Sequence, residues 1–224
     1  MDRKIIVTED NSKTLLIPSL NETYHSTKGA FNEAMHVFIA AGLSNLISKS
    51  VVNVFEMGFG TGLNALVSLD FGITNGININ YTSIEKYPLS FETVKQLDYP
   101  SLLNTMDIST LHAEIHNSEW GKSVQIHPHF VLKKIEGDIS DLKSNPNAFD
   151  IVFYDAFGPK IQPDLWSTTV LQKMSDLLKT GGVLVTYCAQ GQFKRNLKSV
   201  GFVVENLPGP PGKREMTRAI KASE

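Results

Sequence analysis

The chain has 224 residues, 42% of them hydrophobic and 20% charged, with a formal net charge of −2. This is enough for one full domain with a large core; it excludes a disordered or fibrous chain, and the charge balance alone argues against nucleic acid. No apolar run approaches the ~20 residues of a membrane span, and Met1-Asp2-Arg3-Lys4 leads into a short strand rather than a signal-peptide core.

The single cysteine, Cys188, rules out an internal disulfide and fits a reducing cytosol, so a cytoplasmic protein is expected. Cys188 itself reads as a small buried hydrophobe in an apolar strand.

Residues 1–48 are expected to form a hairpin, a loop and a helix packed on the core formed by 49–224. Lys4–Val7 and Thr14–Ile17 flank the polar turn Glu9-Asp10-Asn11-Ser12. Asn21 to Ala30 is polar and unpatterned, a loop over the sheet, and Phe31 to Ile47 has helical spacing. Val51 to Phe55 is β-branched and apolar, as a buried parallel strand should be. Gly58, Gly60 and Gly62 follow at alternate positions, where absence of a Cβ permits φ > 0 and close approach of a ligand. Leu63, Leu66, Val67 and Leu69 then take helical spacing, so the segment reads as strand, tight turn and helix.

Further on, Ile77 to Ile84 alternates as a second strand ending at Glu85. Pro88 to Trp120 predicts two or three helices, and His129 to Ile135 a third strand leading to Asp138. Phe149 to Tyr154 is a fourth strand, ending at Asp155. A helix opened by Pro163 stops at Gly181-Gly182. Val183 to Cys188, Phe202 to Glu205 and Glu215 to Lys221 complete seven strands, with a helix over Gln190–Val200. Alternating strands and helices predict an α/β fold with a mostly parallel, seven-stranded sheet flanked by helices, right-handed crossovers, and ligands outside the carboxyl ends of the strands.

Four acids fall at those ends: Glu56, Glu85, Asp138 and Asp155. A dinucleotide fingerprint would read G-x-G-x-x-G with pyrophosphate over the helix start. Here Glu56 stands where a pyrophosphate would be repelled, which suits a cationic ligand. A merely structural glycine-rich turn is the alternative. E-x-G-x-G-x-G resembles motif I of the class I, Rossmann-like S-adenosylmethionine (SAM) methyltransferases. That resemblance implies a cofactor site at Glu56, Gly58, Gly60 and Gly62, with Glu85 on the ribose and Asp138 on the adenine amino group. Asp155-Ala156-Phe157-Gly158-Pro159 resembles the acid–aromatic motif IV of amine methyltransferases, which implies Asp155 as the group that orients the nucleophilic amine and takes its proton.

Five stretches carry a narrower resemblance: Glu56 to Asn64, Ser83 to Leu89, Asp155 to Trp166, Gly212 to Met216, and Tyr24-His25-Ser26. Together they resemble the methyltransferase part of the bacterial enzyme family that forms 5-methylaminomethyl-2-thiouridine in tRNA. Gly158, where the family more often has alanine, and the proline-rich Pro208–Pro211 depart from its pattern. The resemblance implies an enzyme that methylates the primary amine of 5-aminomethyl-2-thiouridine at the tRNA wobble position, in the anticodon loop. Tyr24 and Phe157 would face the base, and Lys213 and Arg214, helped by Lys194, Arg195 and Lys198, the phosphates. The family is often fused to an FAD-dependent oxidase half. No second dinucleotide fingerprint is present, so a stand-alone methyltransferase without FAD is expected.

The charge distribution agrees: seven basic and three acidic residues lie from Lys194 to Glu224, which leaves the rest of the chain clearly acidic. His112 and His116, spaced i, i+4, with His127 and His129 nearby, could be imagined as a metal site. Without a cysteine or H-E-x-x-H beside them they read as surface or interface histidines, and no metal is expected. Two other readings stand beside the tRNA enzyme: an aminopropyltransferase-type small-molecule enzyme, and a non-catalytic RNA-binding module on the same fold.

Overall fold

A computed structural model describes residues 2–143 and 145–223. The N-terminal segment forms a small antiparallel sheet of β1 (Lys4–Val7), β2 (Lys13–Ile17) and β3 (Glu22–Thr23). Asp10 ties the first turn of this sheet to the chain at Asn32. One carboxylate oxygen accepts from Ser12 N, Ser12 Oγ and Thr8 Oγ1, and the other from Asn32 N at 2.9 Å. The helix expected over 31–47 is broken into α1 (Ala30–Ala34), a π turn over Met35–Ala40 and a 3-10 turn over Leu43–Leu46. The chain bends sharply at Gly42, where a Cβ would lie 2.3 Å from the Phe38 carbonyl oxygen.

The main sheet has eight strands: β4 (Val51–Met57), β5 (Asn78–Glu85), β6 (Ser123–His127), β7 (Phe130–Glu136), β8 (Phe149–Tyr154), β9 (Leu178–Thr186), β10 (Phe202–Pro208) and β11 (Glu215–Lys221). Their order is β10-β11-β9-β8-β4-β5-β7-β6. The five central strands run parallel, β11 is antiparallel to both neighbours, and β6 is antiparallel to β7. The expected seven strands are therefore joined by an eighth. Val124 and Ile126 alternate with polar neighbours, and Pro128-His129 turns the chain straight into β7. Gly181-Gly182 lies inside β9 instead of ending the preceding helix. Pairing with β8 passes from Phe149↔Leu178 to Ile151↔Val183, so β9 carries a bulge there.

Helices α2 (Leu63–Asn75), α3 (Phe91–Val94) and α4 (Ile108–Asn117) belong to one side of the sheet, α5 (Thr168–Leu177) and α6 (Gly191–Ser199) to the other. Strand alternation sorts β4 between these layers. Val52 and Val54 join the cluster of α1 and α2, Phe55 and Met57 that of α5 and α6. Each such side chain, fully buried, contributes about 1.5–3 kcal/mol. Leu15, Ala30, Val37 and Phe38 belong to the same buried cluster as Val52 and Leu66, so the N-terminal part of the chain packs directly on the core of the main sheet. Among the described residues no helix is long and apolar enough to cross a membrane.

Candidate active site

The glycine turn sits where β4 ends between β5 and β8. Gly58, Gly60 and Gly62 all have positive φ in the left-handed region, a conformation that favours glycine. The loops above the strands are joined laterally: Gly58 N donates to the Ile84 carbonyl at 3.0 Å, Asp155 N to Met57 at 3.1 Å, and Gly137 N to Glu85 at 2.9 Å. A Cβ on Gly58 would lie 2.9 Å from the Asp155 carbonyl, and one on Gly62 2.7 Å from His116 Nε2. Glycine is required here for the approach of neighbouring loops as well as for ligand access. Gly62 caps α2 with no side-chain partner for the first helical N–H groups.

Above the turn lies an open cleft of about 1810 Å³. That exceeds what one small ligand fills, so a cofactor and part of a second substrate can share it. Glu85 and Asp138 line one end, Asp155, Phe157 and Arg214 the other, with Gly58, Gly60 and Tyr24 between. Glu85 accepts from Gly60 N at 3.0 Å and Tyr87 N at 2.8 Å. Asp138 accepts from Lys86 Nζ at 2.8 Å and from Ser140 N and Oγ at 2.9 and 2.8 Å, contacts that hold its carboxyl well below the usual range.

Asp155 follows β8 directly. Asn64 Nδ2 donates to its Oδ2 at 2.7 Å, and its side chain makes no other hydrogen bond among the described residues. Burial, with the nearby Glu33 carboxylate, pushes its pKa up to about 7. Glu56 is not in the cleft. It has the same strand parity as Val52 and Val54, so its side chain enters the layer beneath the turn, between β4, β5 and α2, and is fully buried. Its pKa is pushed up to about 8, chiefly by burial. Of the four strand-end acids, three face the cleft and one supports it from below.

Tyr24 reaches over the turn, its ring 3.5 Å from where a Gly60 Cβ would stand, and meets Phe157 edge-on at 5.2 Å. The loop carrying Phe157 is fastened at several points. Phe157 N donates to Gln162 Oε1 at 3.1 Å, Trp166 Nε1 to the Phe157 carbonyl at 2.9 Å, and Tyr187 Oη to the Ala156 carbonyl at 2.8 Å. Tyr154 and Trp166 are core residues. Lys213 is only half-exposed: its ammonium is bonded to Glu33 and lies 3.9 Å from the Tyr187 ring centroid. Arg214 is exposed, and its side chain makes no hydrogen bond or ion pair among the described residues. Lys194 is paired with Glu215, whereas Arg195 and Lys198 are exposed.

His112 and His116 are not surface histidines. Their rings meet at 4.7 Å in an aromatic cluster with Phe91 and Phe59 beneath the start of α2, and burial lowers their pKa values to about 4 and about 3. His127 and His129 meet each other on the β6–β7 turn. Among the described residues no three His, Cys, Asp or Glu side chains converge as metal ligands. Cys188 is buried.

Sequence reasoning missed Asn64 and Glu33. Both are buried polar residues amid apolar helical spacing, Asn64 next to Leu63 and Leu66, Glu33 next to Ala30 and Ala34. A polar residue on an apolar face is the signal that could have found them.

Comparison with known proteins gives this geometry its relatives. A "tRNA 5-methylaminomethyl-2-thiouridine biosynthesis bifunctional protein MnmC" from Campylobacter hominis is 30% identical over 210 residues, covering 90% of this chain and 30% of that protein. The like-named protein of Cupriavidus necator is 31% identical over 215 residues, covering 90% of this chain and 32% of its own. The chain thus spans about a third of the length of these curated relatives. The crystal structure of MNMC2 from Aquifex aeolicus superposes with a TM-score of 0.77 at 25% identity, covering 99% of this chain and 72% of that one. A family profile described as S-adenosyl-L-methionine-dependent methyltransferase matches residues 85–222. The parallel sheet, the glycine turn with its acids, and this match over more than half its length agree: the chain belongs to the S-adenosyl-L-methionine-dependent methyltransferase family.

Proposed function

We propose that the cleft holds SAM along the ends of β4, β5 and β7 and methylates the primary amine of 5-aminomethyl-2-thiouridine at the wobble position of tRNA, in the cytosol. The residues fit that cofactor. Gly58 and Gly60 bring bare backbone to the cleft wall, Glu85 retains lone pairs for ribose hydroxyls, and Asp138 is an ionised acceptor at the adenine end. SAM supplies an electrophilic methyl group on a sulfonium sulfur, which leaves as a neutral thioether. Glu56 serves this site from beneath the turn rather than by touching the cofactor.

The observation that carries the reading is the half-restrained Asp155: Asn64 occupies one carboxylate oxygen and leaves the other for an amine in the cleft. There it accepts a hydrogen bond from the nitrogen, aims the lone pair and takes the proton that the amine sheds. A base near pKa 7 is matched to this task at neutral pH. Tyr24 and Phe157 offer aromatic faces for a base splayed from the anticodon loop. Arg214, with exposed Arg195 and Lys198, meets the phosphates. Lys213, engaged by Glu33, instead orders the loop around Tyr24.

The names of the relatives support the tRNA substrate, and the family match speaks against both the aminopropyltransferase and the non-catalytic readings. The test is incubation with methyl-labelled SAM and tRNA bearing the aminomethyl group. Label is expected in 5-methylaminomethyl-2-thiouridine after digestion, and tRNA that stays unlabelled while SAM binds would remove the proposed substrate.

A further inference from the structure

Under the glycine turn lies a cluster that the proposed reaction does not use. Glu56 on β4, Asn64 and Ser68 on α2, and Tyr81 on β5 are all buried, and five of their atoms have no hydrogen-bond partner: Glu56 Oε1 and Oε2, Asn64 Oδ1, Ser68 Oγ and Tyr81 Oη. Ser83, Asn64 and Tyr81 surround the Glu56 carboxyl, and Ser68 lies beside Tyr81. Buried polar groups left unpaired cost too much to persist in this number, and these lie close enough to pair with one another.

Counting donors decides how. If Glu56 were ionised, its two oxygens would take the Tyr81 and Ser83 hydroxyls, Ser68 would donate to Tyr81, and Asn64 Oδ1 would be left without a donor. The Ser83 hydroxyl also faces the Glu56 backbone carbonyl at 3.5 Å. One proton on Glu56 removes the deficit. Ser68 O–H then donates to Tyr81 Oη, Tyr81 O–H to one Glu56 oxygen, and Glu56 O–H to Asn64 Oδ1. At the far side of the same amide, Nδ2 already donates to Asp155 Oδ2 at 2.7 Å.

We propose that Glu56 is a positioning residue: as a neutral carboxylic acid it donates to Asn64 Oδ1, obliges Asn64 to turn its N–H toward Asp155, and so fixes which oxygen of Asp155 remains for the substrate amine. The inference rests on the proposed role of Asp155 and extends it one step inward. The raised pKa of Glu56 agrees with the donor count. The titratable groups facing Glu56 are Asp155 after β8 and Tyr81 on β5; α2 faces it with the uncharged Asn64 and Ser68. No cation approaches to hold it ionised among the described residues, and Asp155, as an anion, favours the neutral form.

The test compares Glu56→Gln, which keeps a donor without the charge, with Glu56→Leu, which removes it, each checked for folding by circular dichroism. The infrared difference spectrum between wild type and Glu56→Gln at pH 7 should show a protonated-carboxyl band from Glu56, over and above the band that half-protonated Asp155 gives in both. The Asp155 carboxyl, followed by carbon NMR, should titrate at higher pH in Glu56→Leu, whose Asn64 no longer supports the ionised form, and return toward wild type in Glu56→Gln. In methyl transfer, Glu56→Leu should lose about tenfold to a hundredfold in kcat, with its acidic pH limb moved the same way and SAM affinity within about threefold. Glu56→Gln should recover most of that loss.

An absent Glu56 carboxyl band, an unmoved Asp155 titration, or a Glu56→Gln variant that binds SAM as poorly as Glu56→Leu would overturn the proposal, the last because it would assign a working negative charge to Glu56. The infrared and NMR readings need no tRNA. A wild type that fails to methylate tRNA therefore removes the proposed substrate while these two measurements still decide the role of Glu56.

Discussion

The two ends of the cleft use the same chemical group in opposite surroundings. At the outer end, Glu85 and Asp138 are partly exposed and held by backbone N–H groups, with Lys86 beside Asp138. At the inner end Asp155 is desolvated beside Glu33, and just beneath the turn Glu56 is fully buried, so that both resist ionisation. A carboxylate held in place by N–H donors is a steady acceptor for hydroxyl and amino groups. One whose charge is costly can exchange a proton near neutral pH. Environment divides the labour among four acids that look alike along the chain.

The sharpest way to break that contrast is to remove the exchangeable proton site. Asp155→Asn should lower kcat by about 10²–10⁴-fold while SAM affinity measured by calorimetry changes only a few-fold. In the wild type, the rate should rise with pH through about 7 in the free enzyme, because the protonated acid cannot accept from the amine. Burial and then Glu33 hold that limb up, and Asn64 and Lys213 hold it down. An Asp155→Asn enzyme with wild-type turnover would place the proton elsewhere.

A second effect is thermodynamic. The folded-state pKa of Glu56, about 8, lies above the ordinary 4.5, so the folded state keeps a proton that the unfolded chain has released. Stability is therefore highest below about pH 4.5 as far as this group is concerned, and falls as pH rises toward 8. The loss is on the order of a few kcal/mol, at about 1.4 kcal/mol per pH unit. Glu56→Gln, which cannot ionise, should match the wild type in Tm near pH 4 and exceed it increasingly up to pH 8. Parallel curves for the two proteins would mean that Glu56 is charged.

At the outer end the expected effect is smaller. Glu85→Ala removes the acceptor of Gly60 N and Tyr87 N as well as the proposed ribose contact. SAM affinity should fall about tenfold to a hundredfold, matching the ~1.5–3 kcal/mol of charge-assisted hydrogen bonds, with kcat at saturation within a few-fold. A drop in kcat matching that of Asp155→Asn would erase the distinction between the two ends.

How much of this was legible beforehand depends on whether the governing interaction is local. The glycine turn, Glu85, Asp138 and Asp155 could be placed because strand-then-acid is a local pattern and parallel strands all open to one side. Glu56 lies beneath the turn for a reason that counting could have shown: it shares parity with Val52 and Val54, so its side chain follows theirs into the layer below. Strand β6 escaped because five residues with two apolar positions look like the tail of a helical stretch until the hairpin partner is known. The Lys213–Glu33 pair joins residues 180 apart, and no window along the chain contains both.

That pairing sets the last and smallest test, which separates two neighbours that read alike as a basic doublet. Arg214 is exposed and uncommitted, so neutralising it should remove about one phosphate contact. The slope of log K for tRNA against log salt should become shallower by about 1, with a several-fold loss of affinity at low salt and little change in Tm. Lys213 neutralises a Glu33 carboxylate that is almost fully buried and also accepts from Ser26 N at 3.0 Å. Lys213→Ala should therefore lower Tm by leaving that charge unpaired, which costs about 3–5 kcal/mol where burial is complete and less at this half-exposed site, while the salt slope stays near wild type. If instead Lys213→Ala flattened the slope and left Tm alone, the ammonium would belong to the tRNA surface, and the loop around Tyr24 would need another anchor.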